Sequence, residues 1–201
     1  MFLRRSLGVL VAVCLVAGGH LVARQRLSKQ EGDRFQAKLQ KIVLFGNTPA
    51  ARPGTQTTQF TDDELNSYLR FQARDQIPSG IVDPTLNALG DGRVGGRVIV
   101  DLDAVRKQKQ RGWLDPMAYL SGQLPVTATG TLTAKEGVGR FQLESAEVSG
   151  VTVPKSLVQE LLSYYSRTPE NPSGINMDDP FELPSRIREI KVGKATSTVV
   201  Q

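Results

Sequence analysis

Between Arg93 and Leu132 the chain twice keeps a strict two-residue rhythm. Val94, Gly96, Val98, Val100 and Leu102 alternate with Arg93, Arg97, Asp101 and Asp103. Further on, Leu124, Val126, Ala128, Gly130 and Leu132 alternate with Thr and Gln residues. Successive side chains of a strand point to opposite faces, so these segments fit a sheet that is apolar on one face and wet on the other. A helix would scatter the same residues around its circumference. Ile81 to Leu89 precedes the turn Gly90-Asp91-Gly92 and reads as a third extended segment. Arg140 to Val148 returns after Glu136-Gly137-Val138-Gly139 as a fourth, with Phe141 and Leu143 on the apolar phase. That phase slips near Ser145, as a β-bulge would cause.

Helical patterns flank the strands. Ser28-Lys29-Gln30-Glu31 has the form of a capping box, and Phe35, Leu39, Ile42 and Val43 follow at helical spacing. This predicts a membrane-proximal amphipathic helix within residues 28–46, stopped by Gly46-Asn47. Residues 47–58 carry Pro49, Pro53 and Gly54 among small polar residues and read as a linker. Thr61-Asp62-Asp63-Glu64 announces the next helix, with Leu65, Tyr68 and Leu69 as its stripe. Pro154 opens a third, with Leu157, Val158, Leu161, Leu162 and Tyr165. A polar loop from Arg167 to Asp179 leads to Phe181-Glu182-Leu183-Pro184, to Ile187, Ile190 and Val192, and to the closing Val199-Val200. The order predicts one α+β domain over residues 59–201, a curved antiparallel sheet packed against one or two helices.

The charge separates tail from domain. The formal charge is +5, and residues 1–30 hold Arg4, Arg5, Arg24, Arg26 and Lys29 with no acid, so residues 31–201 are balanced. A nucleic-acid-binding domain normally shows a basic excess, so nucleic acid is not an expected partner. Residues 6–23 carry no charged group. As a helix they would reach roughly 27 Å, close to the thickness of a hydrocarbon core. Residues 1–27 are therefore a signal anchor or a cleaved signal peptide. Val13 before Cys14 argues against a lipidation site. The order of basic start and apolar run places the domain outside the cytoplasm, single-pass if the tail is retained, and secreted or periplasmic if it is cleaved.

The sole His (His20) and sole Cys (Cys14) lie in that apolar tail. The domain thus has no imidazole or thiol for Ser-His-Asp, Cys-His or His/Cys zinc chemistry. No cofactor or metal is expected. Asp101 with Asp103, and Asp178 with Asp179, are the carboxylate pairs that acid-base or cation chemistry could use. The plainer reading places the first pair on the solvent face of a strand and the second in a turn.

The segments Phe60-Thr61-Asp62-Asp63-Glu64-Leu65-Asn66-Ser67-Tyr68-Leu69, Val148-Ser149-Gly150-Val151-Thr152-Val153-Pro154 and Phe181-Glu182-Leu183-Pro184, in this order around alternating strands, resemble bacterial tubular lipid-binding domains (TULIP-like, SMP-like). These include YceB-type lipoproteins and LmeA-like envelope proteins. The resemblance implies a curved sheet around a helix, leaving an apolar groove for acyl chains. The groove residues would be Leu65, Leu69, Val98, Val100, Leu102, Leu124, Val126, Leu132, Phe141, Leu143, Leu157, Leu161, Leu162, Ile187 and Ile190. The same residues would equally fill a closed core. LmeA-like proteins are linked to phospholipid hydrolysis, but no G-x-S-x-G nucleophile motif occurs here.

Arg106, Lys107, Lys109 and Arg111 precede Trp113, a basic cluster beside an amphipathic ring. Such a loop would suit an anionic membrane surface. It would equally be a solvated hairpin with Trp113 folded inward. The function expected is extracytoplasmic binding of membrane lipid or another amphiphile, for transport, sensing or envelope maintenance. A non-catalytic adaptor domain with a closed core is the alternative, and a lipid hydrolase ranks below both.

Overall fold

The alternating segments pair with one another in the expected phase. The computed structural model describes residues 27–48, 54–104, 121–167, 169 and 171–201. The order is α1 (Lys29–Asn47), β1 (Thr57–Thr61), α2 (Asp62–Phe71), a 3-10 turn (Arg74–Gln76), β2 (Ile81–Gly90), β3 (Arg93–Asp101), β4 (Gln123–Lys135), β5 (Val138–Val148), β6 (Val151–Thr152), α3 (Lys155–Tyr165), β7 (Phe181–Glu182), β8 (Glu189–Val192) and β9 (Thr196–Val200). Nine strands form one sheet in the order β1-β9-β8-β4-β3-β2, with β5 on the other side of β4 and β6 and β7 along its outer edge. All of these pairings are antiparallel. The fold is therefore α+β, with a sheet larger than the four strands that alternation alone revealed.

Register brings the apolar phases together. Val94, Gly96, Val98 and Val100 of β3 stand opposite Gly130, Ala128, Val126 and Leu124 of β4. Across the other edge of β4, Val126, Gly130 and Leu132 face Val148, Leu143 and Phe141 of β5. The register shifts where Thr129 pairs with Ser145 and Gly130 with Leu143, so Glu144 is the extra residue. This is the bulge expected near Ser145, and without it Phe141 and Leu143 would fall on the polar face. Glu144 points to that polar face, where Arg93 Nε (3.0 Å) and the Thr131 hydroxyl (2.6 Å) donate to it. The Thr131 hydrogen bond, helped by Arg93, holds its carboxyl below the ordinary value.

Several expectations need correction. β1 begins inside the stretch read as a linker and pairs with β9 over its whole length. Its Thr-rich sequence offers no apolar alternation, so the pairing with β9 reveals a strand whose inward side chains are Thr58 and Phe60. β3 ends at Asp101, and residues 102–104 are helical, with Asp101 accepting from the Ala104 N–H at 2.9 Å. Leu102 is therefore buried beyond the strand, and Asp101 and Asp103 do not share a strand face; Asp103 instead accepts from the Gly122 N–H at 3.2 Å. Pro154 is the N-cap of α3, one position before the helix. In α2 the buried residues are Glu64, Asn66 and Ser67, while Leu65, Tyr68 and Leu69 are half-buried.

Polar burial on α2 has a physical cause, because this helix closes two seams. Toward β2, Asp62 accepts from the Ala88 N–H (3.1 and 3.0 Å), and Asn66 both accepts from the Leu86 N–H (2.8 Å) and donates to the Leu86 carbonyl (2.7 Å). Four helical residues rise about 6 Å and two strand residues about 6.7 Å, so side chains at i and i+4 match backbone groups two apart. The helix thus satisfies an edge strand that would otherwise expose unpaired groups. Burial pushes the Asp62 carboxyl above its ordinary value; the Ala88 N–H pulls it partly back, and Asp63 pushes it further up.

Toward α1, Lys38 donates to both oxygens of Glu64 (2.6 and 2.7 Å), whose carboxylate also completes the capping box at the Thr61 N–H (2.9 Å). Phe35 packs edge-on against Phe60 and tilted against Tyr68, with centroids 5.0 and 5.2 Å apart. The opposite end of α1 is tied to the C-terminal strands. Arg186 donates to the Phe45, Gly46 and Thr48 carbonyls, capping the helix with a cation. Gln201 donates to the Ile42 and Ser185 carbonyls. Between these ties sits a small closed core of Ile42, Ile187 and Val199, with Phe60, Leu183 and Ile190 against it. The helix read as membrane-proximal is therefore packed onto the sheet.

Candidate functional site

The long strands carry more apolar surface than the described helices cover. On the apolar phase of β3, β4 and β5, which changes parity on β5 at the bulge, the buried positions are small: Gly130, Ala134, Gly139 and Ala146. The large residues Val98, Val100, Leu124, Val126, Leu132, Phe141 and Leu143 are all half-buried. Leu86 and Leu89 of β2 are exposed, at 45% and 43%. A sheet face on a closed core would show its large side chains buried and not only its small ones.

At one margin this face deepens into a cleft of about 730 Å³ bounded by β5, α3, the 171–180 loop and β7. Its apolar lining includes Phe141, Leu162, Ile175, Met177 and Phe181. Two glycines shape this margin. Gly130 leaves room for the ring of Phe141, which a Cβ there would meet at 2.5 Å, and Gly139 leaves room for Phe181. The outer wall is clipped to the helix. Gln159 donates to the Ile175 carbonyl (3.0 Å) and accepts from the Met177 N–H (2.8 Å), Ser163 donates to the Ile175 carbonyl (3.1 Å), and Ser166 accepts from the Ile175 N–H (2.7 Å). These three polar residues, at i, i+4 and i+7, form the stripe next to the apolar one. The apolar periodicity of this segment does not reveal them; their own i, i+4, i+7 polar spacing is the signal the sequence carries.

The expected groove residues therefore disperse. Phe141 and Leu162 meet in this cleft, and Val98, Val100, Leu124, Val126, Leu132 and Leu143 share the adjoining sheet face. Leu161 is half-buried on α3, and Leu157 is exposed at 41%. Leu65 is half-buried on α2, whereas Leu69 lines a separate cleft between α2 and β2. Ile187 and Ile190 belong to the closed core, and Leu102 is buried just beyond the end of β3. Arg106, Lys107, Lys109, Arg111 and Trp113 lie outside the described residues, as does the apolar run 6–23. Among the described residues no helix is long and apolar enough to cross a membrane. Asp178 pairs with Lys155 at 2.6 Å, and Asp179 accepts from Asn176 at 2.9 Å. Among the described residues no group of three or more His, Cys, Asp or Glu converges as a metal site would require. The site offers apolar surface with amide, hydroxyl and backbone groups and the Asp179 carboxylate along its rim, suited to holding a molecule mainly by desolvation.

No family model matches the chain, and no curated protein matches it. Among solved structures it is similar to one described as the crystal structure of lipopolysaccharide binding protein, at 16% identity and a TM-score of 0.22. That match covers 72% of this chain and 40% of the other, so the chain spans less than half the length of that relative. A likeness at this level assigns neither family nor ligand.

Proposed function

We propose that this chain is a membrane-anchored envelope protein whose extracytoplasmic α+β domain holds a lipid or another amphiphile along the apolar face of β3–β5 and in the adjoining cleft. The observation that carries the reading is that none of the large apolar side chains on that face is buried, although the register gathers them on one side. The element order behind the resemblance to tubular lipid-binding domains is present, with strands between two helices and a terminal strand pair. An acyl segment of about six carbons laid on this face would gain about 5 kcal/mol at about 0.8 kcal/mol per buried methylene. Affinity of that origin needs no catalytic group. Residues 6–23 would keep the domain at the membrane from which such a ligand comes.

The full chain, purified in a nonionic detergent and extracted, should yield an acyl-bearing molecule near one per chain. A clean apo mass in native mass spectrometry, with no uptake of an apolar dye, would instead establish the closed adaptor reading.

A further inference from the structure

The seam between α2 and β2 stops at a definite place. After Asp62 with Ala88 and Asn66 with Leu86, the next match would set Arg70 against Pro84, which has no N–H to donate. Here β2 also carries an extra residue between Val82 and Thr85, with Asp83 at φ 46°. Helix and bulged strand part, and a cleft of about 390 Å³ opens between them. Its walls are Leu27, Leu69, Ile77, Ile81 and Val82, and Arg70 and Arg74 stand at its rim with Asp83. The Nε of Arg74 donates to the Arg70 carbonyl at 2.6 Å, which leaves the terminal nitrogens of both guanidinium groups for another acceptor. Among the described residues neither guanidinium is ion-paired.

Chain length then fixes where this cleft works. Leu27 lies four residues after Ala23, the end of the uncharged run. Four residues span at most about 14 Å. With the run inserted, as the proposed function has it, the cleft is confined to the neighbourhood of the headgroup layer, which extends about 5–8 Å beyond the hydrocarbon on each side. Arg forks match phosphate oxygens in a bidentate geometry. We infer that this cleft seats the headgroup of an anionic phospholipid, its phosphate between Arg70 and Arg74 and its first acyl carbons against Leu69, Ile77 and Ile81. It is a second site, separate from the cleft at β5 and α3.

The test is native mass spectrometry of the full chain released from nonionic micelles containing equimolar phosphatidylglycerol and phosphatidylcholine. The unaltered chain should carry phosphatidylglycerol in preference, and R70Q and R74Q should each lower its binding about tenfold, the loss of one charged hydrogen bond. Asp83→Asn, tolerated because Asn also accepts positive φ, should raise it, so a gain is measured even where an Arg variant folds poorly. An unchanged lipid preference in R70Q/R74Q overturns the assignment, and so does failure of D83N to strengthen binding. Displacement of phosphatidylglycerol by millimolar inorganic phosphate would mark a free-anion site and also overturn it. Leu162→Glu should reduce total acyl occupancy at the other cleft without altering the phosphatidylglycerol preference, so failure of one site is read apart from failure of the other.

Discussion

Replacing Asn66 by Ala removes one side chain that makes two hydrogen bonds, 2.7 and 2.8 Å long, from a position only 1% exposed. Each bond contributes about 1 kcal/mol net, and a buried backbone group left without a partner costs about 1–3 kcal/mol. The Leu86 side chain is 45% exposed, so water reaches part of this strand and the lower half of that range applies. The expected loss is about 2–4 kcal/mol, or roughly 4–16 °C in Tm for a domain of this size. Asn66→Asp separates the two bonds, because a carboxylate still accepts from the Leu86 N–H but repels the Leu86 carbonyl. Once protonated it can donate again, so N66D should recover stability as pH falls while N66A does not. The assay is urea unfolding of the full chain in detergent followed by far-UV circular dichroism, with hydrogen exchange at the Leu86 amide. An N66A loss below about 0.5 kcal/mol, with unchanged exchange at Leu86, would refute the claim that α2 acts as the missing neighbour of β2.

Glu64→Gln keeps an acceptor for the capping box but breaks the ion pair, whereas Glu64→Ala loses both. We expect E64A to be less stable than E64Q by about 1 kcal/mol, the usual worth of a cap, in the same urea titration. The raised carboxyl of Asp62 binds its proton more readily folded than unfolded. Stability should therefore fall as pH rises from its ordinary value of about 3.9 through the raised one, and D62N should remove that part of the slope. Glu144, held low, contributes stability that is lost as pH falls and so acts with the opposite sign; only the difference between wild type and D62N isolates Asp62. In the cleft, Phe141→Ala should lower acyl-ligand occupancy at least tenfold, measured by quantitative lipid extraction, because a buried aromatic contributes about 1.5–3 kcal/mol.

What was legible in the sequence is what obeys a period. The phases of β3, β4 and β5, the bulge beside Ser145 and the capping box at Thr61 all follow from spacing, because each depends on neighbours along the chain. The features that escaped depend on neighbours across the fold. β1 is a strand because β9 lies beside it, and nothing in Thr-Thr-Gln-Phe-Thr requires that. α2 buries Asn66 and Ser67 because an edge strand and the start of α1 need hydrogen-bonding partners, so its apolar stripe misidentifies its inner face.

The same distinction divides the candidate site. Periodicity put the groove residues on common faces but could not tell which faces are covered. That depends on how much helix remains once α1 and α2 have been used. Both are occupied at the β1, β2 and C-terminal side, where they bury a core as small as Ile42, Ile187 and Val199. Among the described residues α3 is the helix beside β5, and its exposed Leu157 and half-buried Leu161 and Leu162 show that it covers that margin incompletely. Three of the four long strands thus keep large apolar side chains only half-covered. In water this arrangement would lose free energy with every square ångström left wet, at about 25 cal/mol. Among the described residues the half-covered apolar area, and not any single residue, is therefore the physical basis of the proposal that this face takes an acyl chain.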